Sequence, residues 1–187
     1  MKCEPLAIPD VLLLEPVRHA DARGFFSETY VYERFAAAGI DRHFVQDNHS
    51  LSVERGTVRG LHAQIAPFAQ GKLVRCVRGA IWDVAVDLRE GSPTYGRHVA
   101  AVLSAENWQQ LWIPEGFLHG FCALEPNSEV IYKVTAPYDR ASERGVIWND
   151  PDLALPWPLA GEAAVLSDKD RKLPTLAAAA GWFRYGG

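Results

Sequence analysis

Apolar and polar residues alternate along several short segments of the chain, most clearly in residues 80–89. The apolar positions of this segment are Trp82, Val84, Val86 and Leu88, which fall on one face. Asp83 and Asp87 fall on the opposite face. Because successive side chains of a β-strand point to opposite sides, this period of two predicts a half-buried strand.

Similar segments recur at short intervals, separated by glycine and proline turns. Residues 73–77 precede the first strand across the Arg78-Gly79 turn, which predicts a hairpin. Further strands are predicted for residues 97–103, 110–113, 117–124 and 130–134. Helical patterns are few: residues 32–38, which end at Gly39, and a short segment after Ser167. Many short strands with few, peripheral helices predict a mainly β fold, a sandwich or jelly-roll barrel.

The length of 187 residues predicts one domain with a sizeable core. We expect this domain to cover residues 1–187, with the barrel at about residues 45–140 and the two ends packed around it. Apolar residues make up 48% of the chain and charged residues 22%, which is typical of globular proteins rather than disordered ones. We find no internal repeat and no linker composition.

Charge and cysteine content exclude several classes of protein. The net charge of −4 argues against a nucleic-acid-binding protein, which is usually basic. Three widely spaced cysteines form no disulfide framework, and this favours a reducing, cytoplasmic location. No segment approaches the roughly 18 apolar residues of a membrane helix, and residues 1–16 do not resemble a signal peptide.

A first group of candidate chemical residues lies on a predicted strand within residues 56–64. It contains Arg59 and His62, which have opposite strand parity, so a regular strand would send them to opposite faces. Either Gly60 marks a β-bulge, or the two side chains serve different surfaces, or only one is functional. A lone histidine on a strand is also often structural.

Other candidates have equally plain structural interpretations. Tyr132 lies within a predicted strand and fits a packing aromatic. Asp170 ends a Ser-x-x-Asp pattern that begins at Ser167 and resembles a helix capping box. Residues 21–28 combine charged side chains with two phenylalanines, and residues 46–50 form a polar run typical of a turn.

The histidines argue against a metal site. A metal-binding β-barrel of this class would have a second histidine two residues after His62, where this chain has Gln64, a poor ligand. His119 has no acid within four residues except Glu115, and no two of the six histidines are two or four residues apart. We therefore predict that the protein uses no metal.

Taken together, nine segments resemble the dTDP-4-dehydrorhamnose 3,5-epimerase family. They are residues 21–28 (DARGFFSE), 44–50 (FVQDNHS), 58–62 (VRGLH), 69–74 (AQGKLV), 83–89 (DVAVDLR), 103–107 (LSAEN), 111–117 (LWIPEGF), 119–121 (HGF) and 148–151 (WNDP). The likeness runs in order along nearly the whole chain. Two departures, Ala63 in place of an aromatic residue and Leu118 in place of alanine, leave every charged position intact.

The resemblance implies a cupin-type jelly roll, a homodimer with exchanged strands, and neither metal nor organic cofactor. It implies that His62 is the base and Tyr132 the acid, with Asp170 orienting His62 and Lys72 near the sugar ketone. The positions that match substrate-binding residues of the family are Arg23, Phe26, Glu28, Gln46, Asn48, Arg59, His119, Tyr138, Glu143 and Lys169. The implied activity is epimerisation at C3 and C5 of a nucleotide-linked 4-keto-6-deoxyhexose, in deoxysugar (dTDP-rhamnose) biosynthesis.

This chemistry suits these residue types. A carbon beside a ketone is acidic because its carbanion delocalises onto oxygen, and inversion needs a base on one face and an acid on the other. Histidine titrates near neutral pH, and tyrosine stays protonated there. The lysine would stabilise the enolate, and Arg59 and Arg23 suit a diphosphate.

Three alternatives to a two-carbon epimerase remain open from sequence. An enzyme that inverts only C3 or only C5, or acts on a related nucleotide sugar, would need the same side chains. A non-catalytic sugar-binding cupin would not need an acid–base pair such as His62 and Tyr132. A metal-dependent cupin enzyme fits least well, because the ligand pattern is missing.

Overall fold

The structure is a computed structural model, and it describes residues 1–159, 161, 163–178 and 181–186. Its strands are β1 (Lys2–Pro5), β2 (Leu12–Glu15), β3 (His19–Asp21), β4 (Gly24–Phe26), β5 (Gln46–Ser52), β6 (Val58–Gln64), β7 (Lys72–Arg78), β8 (Ala80–Asp87), β9 (Arg89–Glu90), β10 (His98–Ser104), β11 (Gln110–Ile113), β12 (Phe117–Ala123), β13 (Ser128–Val134), β14 (Glu143–Gly145) and β15 (Phe183–Arg184). One α-helix, α1 (Tyr32–Ala37), and two 3-10 turns, Asp170–Lys172 and Leu176–Ala178, complete the described elements.

Two antiparallel sheets pack face to face. One has the strand order β1-β2-β11-β7-β13-β5 and the other β10-β8-β12-β6-β14. Val74, Leu111 and Val130 of the first sheet form an apolar cluster with Ile81 and Phe121 of the second. Their burial from water stabilises the contact between the sheets. The mainly β, jelly-roll fold predicted from sequence is confirmed.

The predicted hairpin of residues 73–77 with the following strand is wrong. β7 belongs to the six-stranded sheet and β8 to the five-stranded sheet, so the turn between them crosses from one sheet to the other. Gly79 takes a φ of +68° in this turn. A Cβ there would lie 2.6 Å from Ser128 Oγ, so the turn has no room for a side chain. Sequence patterns show that a turn is present but not which sheet the chain enters.

The expectation that β8 is half-buried is also wrong, because both of its faces are covered. Asp83 and Asp87 are fully buried inside the barrel. The apolar outer face packs against the C-terminal half of the chain, including Leu153 and Trp157. Alternation therefore identified the strand correctly, but the layer that covers it comes from a distant segment.

A β-bulge in β6 brings Arg59 and His62 to the same side. His62 pairs with His119 on β12, whereas Arg59 pairs with Phe121, so β6 holds one more residue than β12 between the two pairs. Gly60 lies in this interval with a φ of +104°, and a Cβ there would be 2.6 Å from the carbonyl oxygen of His119. Of the three alternatives left open by sequence, the bulge is the one observed.

The C-terminal segment crosses the mouth of the barrel. The N–H of Val58 donates to the carbonyl of Val165 at 2.9 Å, and the N–H of Val165 donates to the carbonyl of Gly56 at 3.0 Å. These bonds place the Asp170–Lys172 turn above β6.

Helix α1 ends one residue before the predicted position and buries Phe35 against the outer side of the six-stranded sheet. No helix in the described ranges is long and apolar enough to span a membrane.

Candidate active site

A cavity of about 700 Å³ opens between the two sheets, bounded by β5, β6, β12, β13 and the C-terminal segment. The predicted site residues that line it are Gln46, Asn48, Arg59, His62, Lys72, His119, Tyr132, Tyr138, Glu143, Lys169 and Asp170. This volume is within the range of small-molecule sites. The fold therefore brings together residues from segments more than a hundred positions apart.

Three predicted substrate-binding residues lie outside this cavity. Arg23 pairs with Asp21 on the β3–β4 hairpin, and its side chain is 90% exposed. Glu28 pairs with Arg34, and Phe26 is 66% exposed. Within one chain these residues do not meet His62.

His62 and Asp170 form the central pair of the cavity. Nε2 of His62 lies 2.7 Å from Oδ1 of Asp170, whose side chain is only 6% exposed. Burial alone would raise the pKa of Asp170, but hydrogen bonds from His62, Gly60 and Ser167 lower it. An ionised carboxylate only accepts hydrogen bonds, so Nε2 carries the proton and Nδ1 is left as the basic nitrogen.

The Ser-x-x-Asp pattern is half of a capping box. Ser167 Oγ accepts the N–H of Asp170 at 3.1 Å, as a capping serine would. The carboxylate of Asp170, however, turns to His62 instead of returning to the backbone of Ser167. The structure thus shows a capping contact at Ser167 and, separately, a contact of the Asp170 carboxylate with His62.

A second histidine–aspartate pair consists of His119, which lines the cavity, and the buried Asp83. Nε2 of His119 is 2.9 Å from Asp83, whose side chain is fully buried. Burial lowers the pKa of His119, although the charge of Asp83 opposes this shift, so the ring is neutral at pH 7.

Lys72 lies beside this pair and is almost completely buried. Its Nζ donates to the carbonyl oxygen of His62 at 3.3 Å. Burial lowers the pKa of Lys72 to about 8, against the opposing influence of Asp83 and Glu143. The ammonium group therefore stays largely charged at pH 7 inside the barrel.

Tyr132 and Arg59 lie on the walls of the same cavity. Burial raises the pKa of Tyr132, with Arg59 opposing and Glu143 supporting the shift, so the phenol is protonated at neutral pH. Arg59 is fixed by bonds from Nε to Ser52 Oγ at 3.2 Å and from Nη2 to the carbonyl of Leu51 at 2.8 Å. Its cationic group is thus held in place before any ligand arrives.

Polar side chains form the rim of the cavity. Glu143 pairs with Lys169 and also accepts the hydroxyl of Tyr138 at 3.2 Å. On β5, Gln46 donates to the side-chain oxygen of Asn48 at 2.7 Å. The rim therefore offers hydrogen-bond donors, hydrogen-bond acceptors and one exposed aromatic ring, that of Tyr138.

Sequence reasoning did not single out several residues in or next to the cavity. Asp83 contacts the cavity-lining His119. From sequence it was noted as the polar side of a strand and within the matched segment 83–89, without a role, although an acid opposite the apolar face of a buried strand is a usable signal. Ser50 lines the cavity, and its buried hydroxyl has no hydrogen-bond partner among the described residues. Gln70 also lines it and lies within the matched segment 69–74, where only Lys72 was given a role.

The donor geometry around the histidines bears on metal binding. Both Nε2 atoms contact aspartates, and the amide of Gln64 donates to the carbonyls of Phe68 and Pro137. Among the described residues, no group of three or more His, Cys, Asp or Glu side chains could hold a metal ion.

Comparison with known proteins identifies the family. Residues 5–178 match the family profile described as dTDP-4-dehydrorhamnose 3,5-epimerase. A dTDP-4-dehydrorhamnose 3,5-epimerase of Pseudomonas aeruginosa is 54% identical over 173 residues, which cover 92% of this chain and 94% of the relative. A crystal structure of a 3,5-epimerase from Legionella pneumophila in complex with dTDP-4-keto-L-rhamnose superposes with a TM-score of 0.93 at 42% identity, over 100% of this chain and 99% of the other.

A crystal structure of a 3'-monoepimerase from Streptomyces bikiniensis in complex with dTDP-quinovose is also similar. The TM-score is 0.87 at 39% identity, over 94% of this chain and 88% of the other. The fold described above is thus found in an enzyme named as a monoepimerase as well as in 3,5-epimerases. The family profile and the relatives agree over almost the full length, and the chain belongs to the dTDP-4-dehydrorhamnose 3,5-epimerase family.

Proposed function

We propose that this protein is an isomerase that inverts C3 and C5 of dTDP-4-dehydro-6-deoxyglucose and yields dTDP-4-dehydrorhamnose, a step of dTDP-rhamnose biosynthesis. The observation that carries the proposal is the contact of His62 with buried Asp170 in a cavity that also holds Lys72 and Tyr132. The 54% identity to a relative with this named activity supports the same reaction.

The first step is proton removal beside the ketone. Nδ1 of His62 takes the proton from C3 or C5, and the electron pair of the C–H bond delocalises onto the ketone oxygen. Asp170 stabilises the imidazolium that forms and keeps the ring in the required tautomer. Lys72 and His119 face the site where the negative charge develops, and a buried ammonium is most effective there because little water screens it.

The second step is reprotonation from the opposite face. The phenol of Tyr132 delivers a proton to the carbon, which inverts it and restores the ketone. His62 then releases its proton to solvent and Tyr132 regains one, so the side chains return to their starting state. The same cycle at the second carbon completes the reaction without any change of oxidation state.

Several other lining residues bind the substrate. Arg59 takes the diphosphate, because a guanidinium group matches phosphate geometry. Gln46, Asn48, His119, Glu143 and Lys169 supply hydrogen bonds, and Tyr138 an aromatic surface.

We also propose that the protein is a homodimer in which the β3–β4 hairpin completes the partner's cavity. More than half of the surface of Phe25 and of Phe26 is exposed, and the side chain of Arg23 is 90% exposed. Aromatic and arginine side chains in such a setting are typical of interfaces. The hairpin would then supply Arg23, Phe26 and Glu28 to a substrate bound in the partner's cavity. Cys3 and Cys76 are free thiols, which supports a cytoplasmic location.

Inversion of a single carbon is the second candidate, because the similar 3'-monoepimerase has the same fold. Proton NMR of the 4-keto-6-deoxy sugar nucleotide with enzyme in D2O separates the two. Exchange and inversion at both carbons supports the 3,5-epimerase. Inversion at one carbon supports the alternative, and the absence of both exchange and inversion would overturn catalysis altogether.

A further inference from the structure

The loop of residues 136–139, which follows β13, carries Tyr138 at the mouth of the cavity. The ring is 55% exposed and lies on the cavity rim. This loop has left the sheet, so its backbone groups lack the strand partners that β13 has. Buried or half-buried backbone groups need partners from elsewhere.

Gln64 supplies two of these partners. Its Nε2 donates to the carbonyl oxygen of Pro137 at 3.1 Å, and its Oε1 accepts the N–H of Asp139 at 2.8 Å. The same Nε2 donates to the carbonyl of Phe68 at 2.7 Å, so the amide ties two loops together. Gln64 is only 4% exposed, which makes these bonds well shielded from water.

Gln46 and Gln70 supply the other two. The Oε1 of Gln46 accepts the N–H of Tyr138 at 3.0 Å, and the Nε2 of Gln70 donates to the carbonyl of Ala136 at 2.8 Å. Each of the four loop residues is thus bonded to a glutamine side chain. We name Gln46, Gln64 and Gln70 the glutamine clamp.

A glutamine amide suits this role because it offers both a donor and an acceptor. It can bind a carbonyl and an N–H of the same loop, as Gln64 does here. An aromatic ring on a fixed loop loses little conformational entropy when a planar group stacks on it. On a loose loop the same contact would also have to order the backbone.

We propose that Gln64 and Gln70 are positioning residues that hold Tyr138 in place for the nucleotide part of the substrate. The inference rests on the proposed function, which supplies a ligand with a planar base. Neither glutamine needs to touch the reacting carbons. Their effect on substrate passes through the loop to Tyr138.

A double-mutant cycle tests the clamp by calorimetric binding of dTDP to the full-length protein. Gln70→Ala should weaken binding by about three- to tenfold, the effect of losing one hydrogen bond that orders the loop. In a Tyr138→Ala background the same substitution should change affinity less than about twofold, because the ring that it positions is gone. Turnover of bound substrate by Gln70→Ala should stay close to the wild-type kcat.

Gln70→Met is the matched control for side-chain size. Its neutral thioether cannot donate to the carbonyl of Ala136, so this variant should bind dTDP as weakly as Gln70→Ala. Melting temperatures of all variants show whether the fold is retained. Wild-type affinity in Gln70→Ala, or an equal loss with and without the Tyr138 ring, would overturn the inference. Turnover by the wild-type enzyme, followed separately by NMR, tests the epimerase proposal. The clamp inference and the proposed function can therefore fail independently of each other.

Discussion

His62 and His119 lie opposite each other in the pairing of β6 with β12, and each ring contacts its own aspartate. The two histidines differ in solvent exposure: the side chain of His62 is 29% exposed, whereas that of His119 is 8% exposed. His62 can therefore exchange protons with a substrate and with solvent. Burial keeps the pKa of His119 low and its ring neutral.

This difference predicts that His62→Ala nearly abolishes turnover while the fold survives. General-base catalysis typically contributes about 10²- to 10⁴-fold, so a loss of that size in kcat is expected. His43→Ala, on an exposed histidine outside the cavity, should keep full activity as a matched control. A His62→Ala enzyme with more than about a third of the wild-type rate would remove His62 from the role of base.

The buried charge of Asp83 predicts a change in pH dependence. Asp83 raises the pKa of Lys72, which burial has lowered to about 8. Asp83→Asn removes this support, so the pKa of Lys72 falls further and the alkaline limb of kcat/KM moves to lower pH. A shift of one pH unit would correspond to about tenfold less activity on that limb.

Asp87 provides the control for Asp83. It lies on the same strand and face and is equally buried, but it pairs with Arg89, away from the cavity. Asp87→Asn should lower the melting temperature and leave the alkaline limb in place. An unchanged limb in Asp83→Asn would show that Lys72 does not need that carboxylate to act.

Much of the fold was predictable because each strand carries its own alternation. The strand of residues 110–113 has the predicted bounds, and β12 and α1 each end within one residue of them. The predicted hairpin of β7 with β8 was wrong because the same turn sequence can return the chain along the same sheet or lead it across to the other sheet. Which sheet the chain enters depends on packing between segments far apart in sequence, such as the close approach of Gly79 to Ser128.

The site was predictable only in part for a related reason. His62 stands out because of its neighbours Arg59 and Gly60, and the bulge explains how the side chains of Arg59 and His62 both reach the cavity. Asp170 approaches His62 from 108 positions away, and local sequence indicates only its capping motif. Only the family resemblance linked the two residues before the fold was known.

The exposed β3–β4 hairpin predicts a dimer with shared sites. Light scattering should give twice the chain mass of 20.7 kDa, and a monomer at micromolar concentration would contradict the proposal. Arg23→Ala and His62→Ala homodimers should each be nearly inactive. After mixing and reassociation, about a quarter of wild-type activity should return, since half of the dimers would contain one intact site of two. No recovery, with mixed dimers demonstrated, would argue against a shared site.

The geometry around the histidines predicts that activity survives exhaustive chelation. Nε2 of His62 and of His119 is already bonded to an aspartate, and Gln64 takes the position where a second ligand would be expected. Turnover after dialysis against EDTA should equal that of the untreated enzyme. Loss of activity that a single divalent metal restores would contradict this prediction.

Tyr132→Phe should separate proton removal from inversion. The change deletes one oxygen and keeps the ring, which packs against the apolar cluster between the sheets, so the strand should be retained. His62 can still remove a proton, and the enolate can return it from the same face. In D2O this variant should therefore exchange deuterium into the substrate much faster than it forms epimer.

A purely structural Tyr132 predicts a different result. Exchange and epimerisation would then fall by the same factor, or neither would fall, because no step would depend on the phenol. The two rates are measured in one NMR time course, which makes their ratio insensitive to enzyme concentration and to partial loss of folded protein. An unchanged ratio would assign the proton to another donor. Tyr138 and Lys72, which line the same cavity, would then be substituted next and the same ratio measured.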